Sequence, residues 1–396
     1  MQSNSANCIT ASFKMKRKKV LIDVNSVVPC FVQRKMSGIS RTTLELVKHL
    51  SKLEDAPVKL ALTAQNMKGI GASQLHSGLE EHHMYLPYRD FWNRLLSRTP
   101  VQRWLCRHSL LHIPHNFAHV NRNESCIVTL HDAIFMKMAE EGAGHEELRR
   151  NAPAFLKRCR RIITCSEHSA NDIRAMLQDE TPPIDIIPWG IRHDIFYPTD
   201  DKKAVRNELA WSYRISKPYF VSISCNAGRK RTDALVRAYL ELAAERPLHH
   251  ELVLVWEDPP VKLLSEVAES NCAHRIHFLN SVEEADLRLL YQGASAAFTP
   301  SSYEGFGLPI AEAMACGTPV VTCRNSSLEE VGGNAAIYID EPISRTLPLM
   351  MRQLDDGFIP TAYHSQLGLA QANRFRWEHT ASKTICSYCK ALRIPV

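Results

Sequence analysis

The chain has 396 residues, of which 45% are hydrophobic and 23% are charged, and its formal net charge at pH 7 is +6. These proportions are ordinary for a soluble globular protein, and the length suggests two or three domains. The composition excludes a membrane-spanning helix, because no stretch approaches the roughly 18 apolar residues that such a helix needs. The apolar run 20–22 that follows the basic segment 14–19 is too short for a signal peptide, so we expect a cytoplasmic protein.

Short apolar runs alternate with amphipathic segments along the whole chain. In the first half, strands are predicted at 19–24, 58–63, 109–114, 126–130, 161–165 and 184–187, and helices at 39–53, 145–160 and 167–178. In the second half, strands are predicted at 218–225, 251–256, 275–279, 295–299, 319–323 and 335–339, and helices at 230–245, 283–293, 309–316 and 343–355. Strands that alternate with helices indicate parallel sheets, so six strands per half predict two doubly wound α/β domains that join near 197–200.

Loops that follow strands hold the candidate site residues, because open parallel sheets bind ligands at the carboxyl ends of their strands. In chain order these loops contain 37–41, 131–132, 166–167, 188–190, 228–231 and 302–319. Ser166 has the character of a helix N-cap, and Trp189 suits packing as well as it suits a site.

The segment 302–319 is the most informative of these loops. Gly305 and Gly307 let the main chain approach a ligand closely, and Pro309 suits the first turn of a helix that follows. The amides of residues 306–308 would then face whatever lies before the helix. A helix start of this kind attracts an anion, typically a phosphate.

Two carboxylates flank this loop. Glu304 would stand at the mouth of the anion site, and Glu312 would lie one turn into the helix. A buried strand-to-helix turn, in which Glu312 merely favours the helix dipole, explains the same residues equally well. The stretch by itself leaves both interpretations open.

Positive charge is concentrated in the first half of the chain, with clusters at 14–19, 149–150 and 157–161. Such a half can face phosphate, nucleic acid or an anionic membrane, although an ordinary solvated surface explains it equally well. No nucleic-acid-binding motif accompanies the charge, so nucleic acid is not an expected partner.

The twelve cysteines are scattered without paired spacing, except for Cys386 and Cys389. A single Cys-x-x-Cys with no second pair is a weak metal or redox signal, and two thiols one helical turn apart explain it as well. We therefore predict no disulfide and no metal site.

The chain resembles the GT-B glycosyltransferases of family 4, whose hallmark is a Glu-x7-Glu motif, here Glu304 to Glu312. The resemblance covers most of the chain and is most specific over 300–340. It also includes 38–41, 131–132, 166–169, 187–191, 196–198, 229–230 and 375–377, in the order and spacing of the family. It implies a GT-B fold, in which two doubly wound Rossmann-like domains face each other across a cleft. The acceptor domain would be 16–199 with the C-terminal helix 375–396, and the nucleotide-sugar donor domain would be 200–374.

The resemblance also assigns roles in the second half. Glu312 would accept hydrogen bonds from the ribose hydroxyls of a nucleotide, and Glu304 would hold the hydroxyls of the donor sugar near the reacting carbon. The sugar and diphosphate would be bound by three backbone amides, those of Phe306, Gly307 and Leu308.

Further roles fall on residues before this motif. Lys230, with Arg229 beside it, would neutralise the departing diphosphate. His131 would reach the donor sugar from the first domain, and Gly38 would let backbone approach the diphosphate or acceptor. The catalytic set is therefore His131, Glu304 and Lys230. The competing interpretations are that Arg229 and Lys230 are a solvated surface pair, and that His131 is a histidine whose hydrogen bonds are made within the protein.

One departure from the family concerns the diphosphate. Some relatives have a second diphosphate-binding arginine six residues before the lysine, where this chain has Ser224. Either Arg229 or Arg231 would have to replace it.

The implied activity is that of a retaining hexosyltransferase in polysaccharide biosynthesis, which moves a sugar from a nucleotide-diphosphate donor to a glycan or lipid-linked glycan. The 38–41 loop and the Arg-Lys pair resemble the mannosyltransferase-like branch, so GDP-mannose is the favoured donor and UDP sugars come second. No metal or other cofactor is expected. The lipid-linked acceptor and the basic first half together predict peripheral contact with the anionic inner face of the membrane.

Two alternatives stay open at this point. A nucleotide-sugar epimerase on the same fold would need an acid–base set, and none is recognisable in the sequence. A non-catalytic scaffold that binds sugar nucleotides is disfavoured because Glu304, Lys230 and His131 are all intact.

Overall fold

The computed structural model describes residues 17–33, 37–65, 77–84, 101–115, 123–137, 143–280 and 282–395. Within these ranges the strands form two sheets, one of seven and one of six strands, and neighbouring strands are parallel throughout. We call each sheet with its flanking helices the first and the second domain. The predicted fold class, two doubly wound α/β domains, is confirmed.

The first domain contains the seven-stranded sheet, in the order β3-β2-β1-β4-β5-β6-β7. Its strands are β1 Lys19–Asp23, β2 Lys59–Gln65, β3 Glu80–Met84, β4 Leu110–Ile113, β5 Cys126–Thr129, β6 Arg161–Thr164 and β7 Ile184–Ile186. Its helices are α1 Val28–Gln33, α2 Gly38–Leu50, α3 Val101–Cys106, α4 Ile134–Lys137, α5 Ala143–Leu156 and α6 Glu167–Leu177.

The second domain contains the six-stranded sheet, in the order β10-β9-β8-β11-β12-β13. Its strands are β8 Tyr219–Ile223, β9 Glu251–Val255, β10 Ile276–Leu279, β11 Ala296–Thr299, β12 Val320–Cys323 and β13 Ile337–Ile339. The remaining helices are α7 Lys202–Tyr213, α8 Thr232–Glu245, α9 Val261–Ala268, α10 Glu284–Gly293, α11 Leu308–Ala315, α12 Ser326–Gly332, α13 Ile343–Asp355, α14 Thr361–Ala372 and α15 Trp377–Leu392.

Each sheet reverses its strand order beside its first strand, between β1 and β4 in one and between β8 and β11 in the other. A crevice forms at such a reversal outside the carboxyl ends of the strands, and it is where doubly wound sheets bind ligands. The loops after β1, β8 and β11 therefore lead into the region where a site is expected.

The last helix, α15, returns to the first domain. Tyr388 Oη lies 2.6 Å from His112 Nδ1 on β4, and Ser387 Oγ donates to Asp185 on β7 at 2.6 Å. Both contacts join α15 to the first sheet, while the proposed domain assignment, with its boundaries at 199 and 374, stays a prediction. Among the described residues, no helix combines the length and the apolar character that crossing a membrane requires.

Candidate active site

Glu304 forms the centre of a charged cluster at the carboxyl ends of β8 and β11. Lys230 Nζ donates to Glu304 Oε1 at 2.6 Å, and Arg229 Nη1 donates to Oε2 at 3.1 Å. Both cations come from the 3-10 turn Gly228–Lys230 after β8, and Ser301 Oγ adds a third hydrogen bond at 2.8 Å. The structure thus brings together three of the residues that the sequence singled out.

The cluster fixes the ionisation of Glu304, which is only 8% exposed. Burial alone would raise the pKa of this carboxyl, but the charges of Lys230 and Arg229 and the hydrogen bond from Ser301 prevail and lower it. Glu304 is therefore a carboxylate that can accept hydrogen bonds from hydroxyl groups. The two cations beside it can in turn attract a phosphate.

The backbone between Glu304 and α11 supplies unpaired donors. Gly307, with φ of +98°, is the left-handed N-cap of α11, and Pro309 lies in the first turn. Within the described part of the chain, the amides of Phe306, Gly307 and Leu308 donate no hydrogen bond to the protein. Because the helix dipole adds to these donors, the loop has the features of an anion site.

His131 follows β5 in the first domain and is buried. Burial lowers the pKa of its imidazole to about 4, although the carbonyl of Pro114 opposes the shift. Nε2 lies 3.1 Å from that carbonyl oxygen, which can only accept, so Nε2 carries the proton of the neutral ring. Nδ1 is left as an acceptor for a hydroxyl group. The ring packs against Trp189 at 5.1 Å between centroids, so Trp189 has a packing role.

Gly305 lies where the two domains meet. A Cβ atom on Gly305 would lie 2.7 Å from the carbonyl oxygen of His131 and 2.9 Å from Asp132 Cβ. Its own carbonyl accepts a hydrogen bond from Ser166 Oγ at 2.9 Å. Ser166 also caps α6, as predicted, by accepting from the amide of Ser169 at 3.1 Å. The sequence did not indicate its second role, a contact to the other domain.

Gly38 and Arg41 lie in the first turn of α2, after β1. Apart from the adjoining chain segment, no atom of the described residues lies within 4 Å of the position that a Cβ atom on Gly38 would occupy. Arg41 Nη2 contacts the Oε1 atom of Glu312 on α11. Glu312 is 2% exposed, and burial raises its pKa in spite of the opposing charge of Arg41. The sequence placed Arg41 in a family segment but gave it no role.

The two arginines that flank Lys230 pair with different carboxylates. Arg231, in the left-handed region at φ of +51°, forms an ion pair with Glu341, whereas Arg229 faces Glu304. The Ser224 hydroxyl hydrogen-bonds to Thr232 at the start of α8. Of the two arginines that could replace a second diphosphate ligand, Arg229 is therefore the one beside the charged cluster.

The cysteines of the described residues are free thiols. Cys386 and Cys389 lie one turn apart on α15, and burial raises the pKa of Cys389. No three His, Cys, Asp or Glu side chains in the described ranges are grouped as metal ligands.

Two family models match the chain, one in each domain. The model described as Glycosyltransferase Family 4 matches residues 36–195. The model described as Glycosyl transferases group 1 matches residues 206–343, which include the whole of the charged cluster.

Individual proteins are similar over most of the chain. O-antigen chain mannosyltransferase B of Escherichia coli is 28% identical over 376 residues, which is 89% of this chain and 96% of the relative. The MMP alpha-(1->4)-mannosyltransferase of Mycolicibacterium hassiacum is 27% identical over 58% of this chain and 54% of its own.

Two solved structures share the fold. Sucrose-phosphate synthase from Thermosynechococcus elongatus has a TM-score of 0.73 at 19% identity, covering 95% of this chain and 100% of its own. Anabaena Alr3699/HepE in complex with UDP and glucose has a TM-score of 0.70 at 16% identity, covering 94% and 99%.

Proposed function

Because this chain belongs to the GT-B glycosyltransferases of family 4, in their mannosyltransferase-like branch, we propose that it transfers mannose from a nucleotide-diphosphate donor to a glycan or lipid-linked glycan. The observation that supports this best is the carboxylate of Glu304, held by Lys230 and Arg229 next to the unpaired amides of 306–308. An ionised acceptor for sugar hydroxyls thus adjoins two cations and three amide donors for a diphosphate.

The donor would lie across the start of α11. Its diphosphate would meet the amides of 306–308 and the cations Arg229 and Lys230, and its sugar hydroxyls would meet Glu304. The ribose hydroxyls would lie at Glu312, further into the second domain. From the first domain, Nδ1 of neutral His131 would accept a hydrogen bond from the sugar.

The reaction we propose retains the configuration at the anomeric carbon. An acceptor hydroxyl oxygen forms a bond to that carbon while the bond to the diphosphate oxygen breaks on the same face. The proton of the hydroxyl passes to the departing diphosphate, so no protein base is required. The protein would hold the two reactants in position. Lys230 and Arg229 would stabilise the negative charge that develops on the leaving group.

The preferred donor is GDP-mannose, with UDP sugars second. Support comes from the E. coli relative, whose name is that of a mannosyltransferase of the O-antigen chain and whose length this chain nearly spans. The same name supports a role in polysaccharide assembly. We further propose that the chain makes peripheral contact with the anionic inner face of the membrane, because its first half is basic. Flotation with anionic liposomes, compared at low and at high salt, tests this proposal.

The experiment that tests the proposed function is a transfer assay with GDP-mannose, UDP-glucose and a set of glycan acceptors. We expect mannose transfer with retained configuration, read by NMR of the product. Glu304→Gln should lower kcat/KM by about 10–150-fold, since hydrogen bonds to charged groups are each worth about 1.5–3 kcal/mol. Glu329→Gln changes an exposed acid on α12 and serves as the control. Absence of nucleotide binding and transfer with every donor would overturn the proposal.

A further inference from the structure

Arg41 joins the two domains through a single side chain. It belongs to α2 of the first domain, yet its Nη2 contacts Glu312 on α11 and its Nε lies 3.1 Å from Glu284 Oε1 on α10. The guanidinium also lies 5.6 Å from the ring centroid of Phe196. Both carboxylates belong to the second domain, so the arginine reaches across the cleft to the helix that carries the second glutamate of the Glu-x7-Glu motif.

Only one of the two carboxylate oxygens of Glu312 forms a hydrogen bond with a described residue. Its Oε1 receives Arg41, while Oε2 accepts no hydrogen bond from any described residue. Beside it on α10 lies the hydroxyl of Tyr291, which is buried and has no hydrogen-bond partner within the described ranges. A buried hydroxyl without a partner, beside a carboxylate oxygen that is free to accept, indicates a ligand with hydroxyl groups, because buried polar groups are nearly always hydrogen-bonded.

The ionisation of Glu312 depends on few groups. Burial raises the pKa of this carboxyl, Arg41 lowers it, and Glu284 raises it further. The other titratable groups that face it are Tyr291 on α10 and Cys316 at the end of α11, and the carboxylate raises the pKa of both. Arg41 is thus the cation that stabilises the charged form of Glu312.

A neighbouring arginine allows the effect of Arg41 on Glu312 to be distinguished from a role in holding the two domains together. Arg192 also contacts Glu284, at 2.7 Å, and lies 3.4 Å from Glu45 on α2. It therefore links the same two domains, and its ion pairs do not include Glu312. If attachment were the whole role, loss of either arginine would have the same kind of effect.

We infer that Arg41 is a positioning residue for the nucleotide: it orients Glu312 and favours its charged form, so that Oε2 accepts hydrogen bonds from the ribose hydroxyls of a nucleoside diphosphate. The inference rests on the proposed function, since it concerns the same donor site. Without Arg41, burial and Glu284 favour the protonated carboxyl, which is a poorer acceptor. Nucleotide affinity then becomes dependent on pH.

The direction of that dependence follows from the chemistry. Removal of Arg41 raises the pKa of Glu312, so the carboxyl is protonated at the acidic end of the working range and ionises as the pH increases. Affinity of an Arg41→Met variant should therefore increase with pH. The wild-type chain should show a flatter profile over the same range.

The test is calorimetric titration with GDP and with UDP from pH 6 to pH 9. At pH 6 we expect Arg41→Met to weaken binding of the better nucleotide by about 10–150-fold, the range for a hydrogen bond to a charged group, and to recover part of the loss at pH 9. Arg41→Lys keeps the charge and should follow the wild-type profile. Arg192→Met, the matched control, should leave the shape of the profile unchanged.

Glu312→Gln provides a second line of the test, because it removes the ionisable group. It should weaken binding at every pH, and adding Arg41→Met to it should weaken binding no further. The double variant removes both charges of the pair, so it leaves no unpaired carboxylate in the protein interior. It can therefore be measured even if Arg41→Met alone does not fold.

Several results would overturn the inference. A loss in Arg41→Met that is uniform across pH, or an unchanged affinity, would leave Arg41 a purely structural residue. A further loss in the Glu312→Gln background would show that Arg41 acts through another group. If the wild-type chain binds neither nucleotide, the proposed function fails first and this inference with it.

Discussion

Glu330 of the second domain caps a helix of the first. Its Oε1 accepts a hydrogen bond from the backbone amide of His168 at 2.7 Å, and its Oε2 accepts one from Glu167, also at 2.7 Å. Both amides belong to the first turn of α6, where the helix dipole favours a negative charge. A second contact, from Tyr303 Oη to Asp172 on α6 at 2.7 Å, lies nearby. A carboxylate at a helix start thus links the two domains, and we expect it to favour a closed cleft.

Removal of this cap should favour the open form. We expect Glu330→Ala to lower kcat/KM by about 5–30-fold, since two charge-assisted hydrogen bonds at an exposed position are worth only about 1–2 kcal/mol. The melting temperature should change little, because neither domain core is touched. Small-angle scattering should show a larger radius of gyration than that of the wild-type chain.

Glu329→Ala is the matched control for this change. Glu329 adjoins Glu330 on α12, is also exposed, and pairs with Arg324 of its own domain at 3.0 Å. It should leave both scattering and activity unchanged. Equal effects of the two substitutions would contradict a closure role for Glu330.

Gly305→Ala should also oppose closure, by a steric route. The added Cβ atom would lie 2.7 Å from the carbonyl oxygen of His131, in the other domain. Overpacking of this kind typically costs about 1–3 kcal/mol, so we expect kcat/KM to fall by about 5–150-fold with the radius of gyration increased. Gly38→Ala, whose Cβ atom would lie more than 4 Å from every atom of the described residues outside the adjoining chain segment, should not change the radius. An unchanged radius in Gly305→Ala would refute the prediction.

The cations after β8 should differ in their effects on transfer. Lys230→Met and Arg229→Met remove charges that face Glu304, and each should lower kcat by about 10–150-fold, the worth of one charge-assisted hydrogen bond. Arg231→Met removes a charge that pairs with Glu341 and should keep most of the activity. Steady-state kinetics with saturating donor measures the difference. A larger loss in Arg231→Met than in Arg229→Met would reverse our assignment of the second diphosphate ligand.

Most of the fold could be predicted from the sequence because buried parallel strands are short apolar runs. All twelve predicted strands are present, and the helices predicted at 39–53 and 343–355 are observed as Gly38–Leu50 and Ile343–Asp355. The strand that was missed, Glu80–Met84, lies at the edge of its sheet and begins Glu-Glu-His-His. An edge strand need not be apolar, so periodicity does not reveal it.

The candidate site was predictable only within each domain. Glu304, Lys230 and Arg229 could be grouped because the carboxyl ends of β8 and β11 adjoin in a doubly wound sheet. The contact between Arg41 and Glu312 could not, because it depends on how one domain lies against the other. No local pattern in a chain encodes that relation.

Buried neutral histidines should make stability depend on pH. Burial lowers the pKa of His112 to about 3 and that of His131 to about 4, whereas a histidine in the unfolded chain titrates near 6.5. As the pH falls below about 6.5, the unfolded chain therefore takes up protons that the folded chain does not. Each histidine should lower the free energy of unfolding by about 1.4 kcal/mol per pH unit, down to its folded pKa. We expect His112→Gln, next to Tyr388, to reduce the loss in urea midpoint between pH 7 and pH 5. The same change at the exposed His274 should leave that loss intact; identical losses in all three chains would contradict the burial argument.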